Sequence, residues 1–478
     1  ALWRSRGIAL EEDGLAAGRA LMSLRTPAPF ASSSAYVSAL APIAGFLAGF
    51  NLSQEEFDVN VVVGPSVRGL DYLDSAAVIA YSRRDTLLSR MIEEALADCP
   101  RDIGFAVFSP SKPEDLLTNI IVARLLRERN PGIHLCLADL SCEDYSLLPH
   151  LETLRASGAF DGVFDTVVES KDDRDDVLPA LIEAAAEGRA ARGFVTRANV
   201  PGVRPRAIRR FGPPAPSLVF SPEPIAVVRL TSRRCYWSRC TFCVHNNKYD
   251  DRGAPTQADA SEGLDRIEAF LAAGYRYINF ADEALSPALL RALALEIKRR
   301  GLKFHWVCRS KLEHGHNAEL FALIAEAGCR EIQFGLETTS ARVLKLMDKH
   351  VDGLDESAMA RAFRAMSDAG VGVHVNLIGG FPGDALADMK GSVDFLIREF
   401  ASVRGASFFI SPFRLLPETP IVEAPERFGV RNVAIKGDLA QYCTYDLDPA
   451  IGPSTGAVFE ALPGFERRLH DELGWSGL

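Results

Sequence analysis

The chain has 478 residues, 47% hydrophobic and 24% charged, with a formal net charge of -10. That length holds roughly two to four domains, and the composition is ordinary for a soluble globular protein. The negative balance argues against a nucleic-acid backbone as partner. Nine cysteines, scattered except for one central cluster, do not form a secreted disulfide framework and suit a reducing cytoplasm. The first residues, Ala-Leu-Trp-Arg-Ser-Arg, lack the apolar core of a signal peptide, so a cytoplasmic location is expected.

Apolar runs at Arg19–Leu24 and Phe57–Val63 read as strands around an apolar helix at Ala35–Phe50. That helix lies in the uncharged stretch Thr26–Gln54. Pro42, Gly45 and Gly49 interrupt it, and the run is shorter than a bilayer, so a buried helix and no membrane span are expected. Asp102–Ser109 reads as a buried strand, followed by helical spacing over Asp115–Glu128. A strand at Ile133–Ala138, a helix near Asp144–Ala156, a strand at Val163–Val168 and a helix near Asp175–Ala186 continue the alternation. The pattern predicts an α/β fold: a doubly wound, Rossmann-like parallel sheet over residues 1–188, with ligands at the carboxyl ends of its strands. Residues 189–224 carry seven prolines from Pro201 to Pro224 and the arginines Arg192, Arg197, Arg204, Arg206, Arg209 and Arg210. Such proline density predicts a linker without regular elements, its arginines solvated or holding a phosphate or acidic partner.

From Ile225 the alternation restarts. Strands are expected at Ile225–Leu230, Tyr275–Phe280, Lys303–Cys308, Glu331–Gly335, Gly372–Ile378 and Ser407–Ser411. Helical patterns separate them: Ser261–Ala272, Pro287–Arg299, Asn317–Ala327, Ala341–Met347 with Glu356–Ala369, and Asp384–Phe400. Six βα units over residues 225–415 predict a partial (β/α)6 barrel whose chemistry gathers on the loops after the strands. Residues 416–478 are less periodic and are expected to cap the barrel mouth.

Cys235, Cys240 and Cys243 follow the first of these strands. Three thiolates so close can hold three corners of one metal centre, and a four-iron cluster held by three thiolates keeps one iron open. Two alternatives stand beside this reading: a zinc site completed by His245, and a set of buried free thiols. The later strand ends carry Asp282 and Glu283, then Arg309, then Glu337, then the pair Gly379-Gly380. A lone carboxylate at a strand end also serves as a helix cap or surface partner. Lys345 and Lys349 read as surface lysines. Cys308 and Cys329 read as buried, and Cys443 as a cap residue able to face the cavity.

The triad, with Phe242 before its last cysteine, resembles the radical S-adenosylmethionine (SAM) enzymes over about residues 224–420. The resemblance implies a [4Fe–4S] cluster on Cys235, Cys240 and Cys243, with SAM chelated at the fourth iron. An electron from an external flavodoxin- or ferredoxin-like donor would split SAM to methionine and a 5′-deoxyadenosyl radical. The resemblance also implies Asp282 and Glu283 as acceptors for the SAM ammonium and Arg309 for its carboxylate. Glu337 would hold the ribose hydroxyls, Gly379-Gly380 would face adenine, and Phe242 would lie beside the cofactor. The family spacing is C-x3-C-x2-C, whereas this chain reads C-x4-C-x2-C, so Tyr236–Arg239 must absorb one extra residue. The sheet before the barrel resembles the cobalamin-binding subgroup, which implies cobalamin and C-methylation at an unactivated carbon of a natural product or peptide. The subgroup's Asp-x-His-x-x-Gly loop is absent. The region's histidines are His134 and His150, and Ala138-Asp139 stands where a glycine pair is common. Two other outcomes stay open. The same radical chemistry without cobalamin would give rearrangement, epimerisation or cross-linking, as in peptide maturation; a zinc-stabilised binding module is the alternative of another class.

Overall fold

The computed structural model describes residues 10–474, apart from 27, 32, 61–63, 139–140, 143–144, 148–149, 170, 204–223, 232–234, 245–256 and 449–454. The chain divides into two compact units, Ala1–Arg209 with Ile435–Cys443, and Arg210–Ala434 with Thr444–Leu478.

The first unit opens with helices α1 (Leu10–Ser23) and α2 (Ser33–Ser53). The strand expected at Arg19–Leu24 is the end of α1. Ala17, Ala20 and Leu24 recur at helical spacing and bury together with Ile43 of α2, a grouping that strand periodicity would split between two faces. Helix α2 stands where expected, but it is not the buried helix foreseen: 6% of its apolar window over Ala35–Ser53 is buried. Apolar residues run all round it, while α1 covers one side. It is the one helix among the described residues long and apolar enough to cross a membrane.

Strands β1 (Phe57–Asn60) and β2 (Gly64–Val67) form an antiparallel hairpin. Helices α3 (Ser75–Ser82) and α4 (Leu87–Ala95) follow, capped by Asp74 and Thr86. Then come β3 (Phe105–Phe108), α5 (Pro113–Arg129), β4 (His134–Leu137), the short β5 (Ser141–Cys142) and β6 (Tyr145–Ser146), and α6 (Leu151–Ser157). The unit's sheet is completed by β7 (Thr166–Val168), α7 (Lys171–Ala186) and β8 (Gly193–Val195). Four parallel strands lie in the order β3-β4-β7-β8. Successive residues of β4 sort to opposite faces. Leu135 and Leu137 join Leu116, Leu117 and Ile120 of α5, whereas Cys136 joins Val177 and Leu181 of α7. Helices thus cover both faces.

Three details depart from the sequence reading. Strand β3 is an edge strand, with Val107 42% exposed, rather than a fully buried one. The β5–β6 hairpin replaces the start of the helix foreseen from Asp144. Strand β8 lies inside the expected linker. The prolines begin only at Pro201, so Gly193–Val195 keeps its amide groups and pairs with β7. The linker arginines Arg204, Arg206, Arg209 and Arg210 and the residue Asp139 lie outside the described residues.

The segment Ile435–Cys443 belongs to the first unit's core. Leu439 is fully buried there, and Ser75 donates to Asp438 from its amide (2.8 Å) and its hydroxyl (2.5 Å).

The second unit runs β9 (Ile225–Val228), α8 (Gln257–Ala272), β10 (Tyr277–Phe280), α9 (Pro287–Arg300), β11 (His305–Ser310) and α10 (Ala318–Glu326). It continues with β12 (Cys329–Glu337), α11 (Ala341–Leu346), α12 (Glu356–Asp368), β13 (Gly372–Gly379), α13 (Leu386–Phe400) and β14 (Ala406–Pro412). All six strands are parallel and lie side by side in chain order, as the six βα units predict. The side chains of Ser286, Asn317, Ser340 and Asp355 accept from the first-turn amides of α9, α10, α11 and α12. These caps fix where each loop ends and its helix begins. Helix α14 (Pro420–Glu423) and the paired strands β15 (Val430–Ile435) and β16 (Cys443–Leu447) come next, then α15 (Thr455–Leu473). Val458, Leu462 and Leu469 of α15 bury in the barrel core.

Gly437 takes φ +98°, and a Cβ there would overlap the carbonyl of Leu73. Gly437→Ala is therefore expected to destabilise the first unit by about 2 kcal/mol or more. Calorimetry would show a lower melting transition; an unchanged melt would mean that this segment does not hold the unit together.

Candidate active site

A cavity of about 250 Å³ opens at the C-terminal ends of the barrel strands. Cys235, Cys240, Cys243 and Phe242 form one side of its wall. Glu283, Arg309 and Glu337, from three successive strand ends, form another. Lys311 and Lys349, which the sequence reading did not place there, complete it. Strand alternation explains part of this wall. Gln333, Gly335 and Glu337 share one face of β12 and all line the cavity, and Lys311 continues the phase of Arg309 beyond β11.

Two expected ligand contacts lie elsewhere. Asp282 is buried behind the wall, where its carboxylate accepts from the amides of Leu230 (2.6 Å) and Thr231 (2.9 Å) and from the Thr231 hydroxyl (2.9 Å). It anchors the start of the cysteine loop to the end of β10. Gly379 and Gly380 pack under α15: a Cβ on the first would overlap Leu462, and on the second would stand 2.6 Å from Phe459. The room left by their missing side chains is taken by a helix. Cys308 and Cys329 are buried as read from the sequence, and Cys443 is buried but does not line this cavity. A larger cavity, about 590 Å³, opens at the opposite ends of β10–β12, beside Tyr277, His305 and Arg330. It contains none of the strand-end residues and lies on the barrel face where stability rather than chemistry is built.

The cysteine loop is held at several points. Thr241 donates from its amide to Met347 O (3.0 Å) and from its hydroxyl to Leu346 O (3.1 Å). Trp237 Nε1 donates to Asp348 O (2.8 Å), and the Tyr236 hydroxyl donates to Glu313 (2.8 Å). The extra residue of the C-x4-C spacing is absorbed in a turn where Ser238 takes φ +46° and its hydroxyl donates to Cys235 O.

The three cysteines are free thiols, each partly buried. Among the described residues, no three His, Cys, Asp or Glu side chains come close enough to share one metal ion. Zinc would draw its sulfurs to within about 4 Å of one another, given Zn–S bonds of about 2.3 Å. A cluster binds each cysteine to a different iron and so does not need all three sulfurs within reach of a single ion. His245, the fourth ligand of the zinc reading, lies outside the described residues. Burial pushes the Cys240 thiol up to about 11, with Lys349 and Lys311 pulling it down. A metal centre must displace that proton.

The wall's two carboxylates each face a basic side chain. Glu283 lies 3.4 Å from Arg229 and 3.9 Å from Arg309. Glu337 lies 2.5 Å from Lys349. Lys349 is not the surface lysine its helix suggested. Helix α11 stops at Leu346, and Asp348 takes φ +50°, which turns Lys349 inward onto Glu337 and within 6.0 Å of the Phe242 ring centroid. Burial lowers its pKa, but Glu337 and the cysteines Cys240 and Cys243 outweigh that and hold it above the ordinary lysine value. Glu337 itself takes φ +64°. A Cβ at Gly335 would stand 2.5 Å from Glu337 Oε1 and 2.8 Å from Lys349 Nζ, so the pair requires glycine there. In the first unit, both histidines of the sheet region are engaged internally. His134 Nε2 is 2.8 Å from Thr166 Oγ1, and His150 Nε2 is 2.6 Å from Ala440 O.

Residues 230–396 match the family model of the radical SAM superfamily. The chain carries a radical SAM domain. That domain contains the cysteine loop and the whole cavity wall. The uncharacterized methyltransferase PH0819 of Pyrococcus horikoshii is 26% identical over 178 residues, 36% of each chain. The solved structure of TsrM from Kitasatospora setae, a radical SAM methyltransferase with cobalamin and a [4Fe–4S] cluster bound, aligns with a TM-score of 0.52. Its identity is 16%, over 86% of each chain. OxsB, a cobalamin-dependent SAM radical enzyme with aqua-cobalamin and SAM bound, aligns with a TM-score of 0.51 at 18% identity. That match covers 79% of this chain and 60% of OxsB. At these identities the two structures establish a common fold, a Rossmann-like sheet joined to a radical SAM barrel. The chain spans about a third of the length of PH0819 and three-fifths of OxsB.

Two predictions follow from the buried charges of the radical SAM domain. Lys349→Met strands the Glu337 carboxylate and is expected to cost about 3 kcal/mol or more, most of it recovered when Glu337→Gln is added. Urea unfolding of both variants checks this, and equal loss in the two would contradict it. Asp384 accepts from Gly380 N (3.0 Å), and burial pushes its pKa up to about 6. A raised carboxyl pKa gives stability that is full below the unfolded value of about 3.8 and lost as pH rises through about 6. Asp384→Asn should therefore gain roughly 2 kcal/mol on wild type between pH 4 and pH 8. Urea midpoints that move in parallel across that range would refute the assignment.

Proposed function

We propose that the chain is a cobalamin-dependent radical SAM methyltransferase that methylates an unactivated carbon of a natural product or peptide. The observation that carries the radical half is the cavity: three thiols of one loop facing Glu283, Arg309 and Glu337 at successive ends of parallel strands. The methyl-transfer half rests on the sheet-plus-barrel fold shared with TsrM and OxsB.

Cys235, Cys240 and Cys243 would each hold one iron of a [4Fe–4S] cluster and leave the fourth to SAM. When bound, the cluster supplies the electron that cleaves SAM to methionine and a 5′-deoxyadenosyl radical, and cobalamin supplies the methyl group. The protein's own part is placement and exclusion of water. Glu283 would offer an oxygen to the SAM ammonium, and Arg309, 3.9 Å from Glu283, would take its carboxylate as a guanidinium partner. Glu337, fixed by Lys349, is oriented to accept from the ribose hydroxyls, with Phe242 beside them. Asp282 positions the loop, and Gly379 and Gly380 seat α15, so these three leave the set of direct ligand contacts. The electron would come from an external flavodoxin- or ferredoxin-like donor in a reducing cytoplasm.

The first unit fits cobalamin less fully. His134 and His150 are committed within its fold, so the described residues of this unit supply no histidine to cobalt, and the corrin would be held without one from it. The same observation favours a second reading, in which the barrel makes its radical without cobalamin and rearranges, epimerises or cross-links the substrate.

Anaerobic reconstitution with iron and sulfide, followed by reductant and SAM, should release 5′-deoxyadenosine, and Cys240→Ala should abolish it. Release by the variant at the wild-type level would sink the radical reading. Corrin absorbance retained after incubation with cobalamin and desalting supports the methyltransferase; its absence moves the function to the cobalamin-free reading.

A further inference from the structure

Lys311 follows β11 and lines the cavity, yet its side chain is buried, with the residue 4% exposed. Among the described residues its ammonium has no hydrogen-bond partner. The neighbouring cations differ: Arg309 faces Glu283 and Lys349 is bound to Glu337. What Lys311 does have is the face of Trp237, 3.7 Å from its nitrogen to the ring centroid. Trp237 belongs to the four-residue stretch between Cys235 and Cys240 and is fixed through Asp348 O. The lengthened loop therefore ends in an aromatic shelf that holds a buried ammonium beside the thiols.

A cation–π contact does not by itself offset the cost of burying a charge without a partner. Burial draws the Lys311 pKa down to about 8, with Glu313 opposing it. Lys311 and Cys240 lie close enough that each shifts the other's proton affinity. With Glu337 paired to Lys349 and Glu283 facing two arginines, the Lys311 charge acts on Glu313 and on what the cysteines carry. Three thiolates on an oxidised four-iron core sum to one negative charge, and reduction adds a second.

We propose that Lys311, seated on Trp237, is an electrostatic positioning residue that stabilises the added electron of the cluster on Cys235, Cys240 and Cys243 and so raises its reduction potential. This rests on the cluster reading given above. The step is the transfer of one electron from the external donor to the cluster; no bond is made or broken, and Lys311 keeps its proton throughout. Cluster potentials respond to nearby charge and to solvent exposure in this way.

The test is a redox titration of the reconstituted full chain, followed by electron paramagnetic resonance, with no SAM present. Lys311→Met should lower the midpoint so that the reduced-to-oxidised ratio at a fixed potential falls about tenfold, or about 59 mV for one electron. Lys311→Arg, which keeps the charge, should stay within about threefold of wild type. A Lys311→Met protein with wild-type iron content and an unchanged midpoint overturns the proposal. If that variant loads no cluster, Lys311→Gln takes its place, and an unchanged midpoint there overturns it equally. A wild-type chain that forms no iron–sulfur signal would refute the cluster reading itself, a failure distinct from that of Lys311.

Discussion

The site hangs from the buried pair of Glu337 and Lys349. Glu337 sits at the end of β12 in a left-handed conformation, against a glycine that leaves room for the pair. By drawing Lys349 inward it fixes the short segment after α11. The carbonyls of Leu346, Met347 and Asp348 in that segment hold Thr241 and Trp237 of the cysteine loop. Asp282 holds the same loop at its start. A loop whose three thiols fall within the nine residues Cys235–Cys243 has no geometry of its own; these two carboxylates, one at each end of the arrangement, impose one.

The arrangement also settles the local charge balance. A buried ion pair contributes little net stability, because desolvation consumes most of the attraction, but it makes each partner costly to remove. The cavity wall uses this twice, at Glu337–Lys349 and around Glu283, and leaves Lys311 outside the pairing. Burial raises the pKa of the Cys240 thiol, so binding a metal centre there is coupled to proton release. Lys349 and Lys311, which line the same cavity and lower that pKa, favour the release.

Much of this was legible in the sequence, for physical reasons. Parallel barrel strands are apolar, evenly spaced and followed by amphipathic helices, so all six were found near their true bounds. Strand-end residues project over the barrel mouth whatever the rest of the chain does, which is why Glu283, Arg309 and Glu337 meet the cysteines in one cavity. Lys311 was overlooked, although it stands two residues beyond Arg309 in strand phase and that spacing could have found it. Lys349 was not legible: its inward turn depends on a helix stopping at Leu346 and on a positive φ at Asp348, which no periodicity encodes. Gly379-Gly380 was misread because close approach alone does not say what approaches, and α15 lies more than seventy residues further along the chain. In the first unit, α1 and β8 were missed for opposite reasons. Alanine-rich helical spacing was taken for a strand, and a three-residue strand was hidden beside a proline-rich stretch.

The central claim is that three thiolates leave one iron of a cluster open to SAM. Electron paramagnetic resonance of the reduced, reconstituted chain before and after addition of SAM tests it most directly. The account predicts a [4Fe–4S]⁺ signal whose g-values shift on addition of SAM and whose amplitude is lost in Cys240→Ala. A chain that takes up zinc without sulfide, or a cluster signal indifferent to SAM, would contradict it.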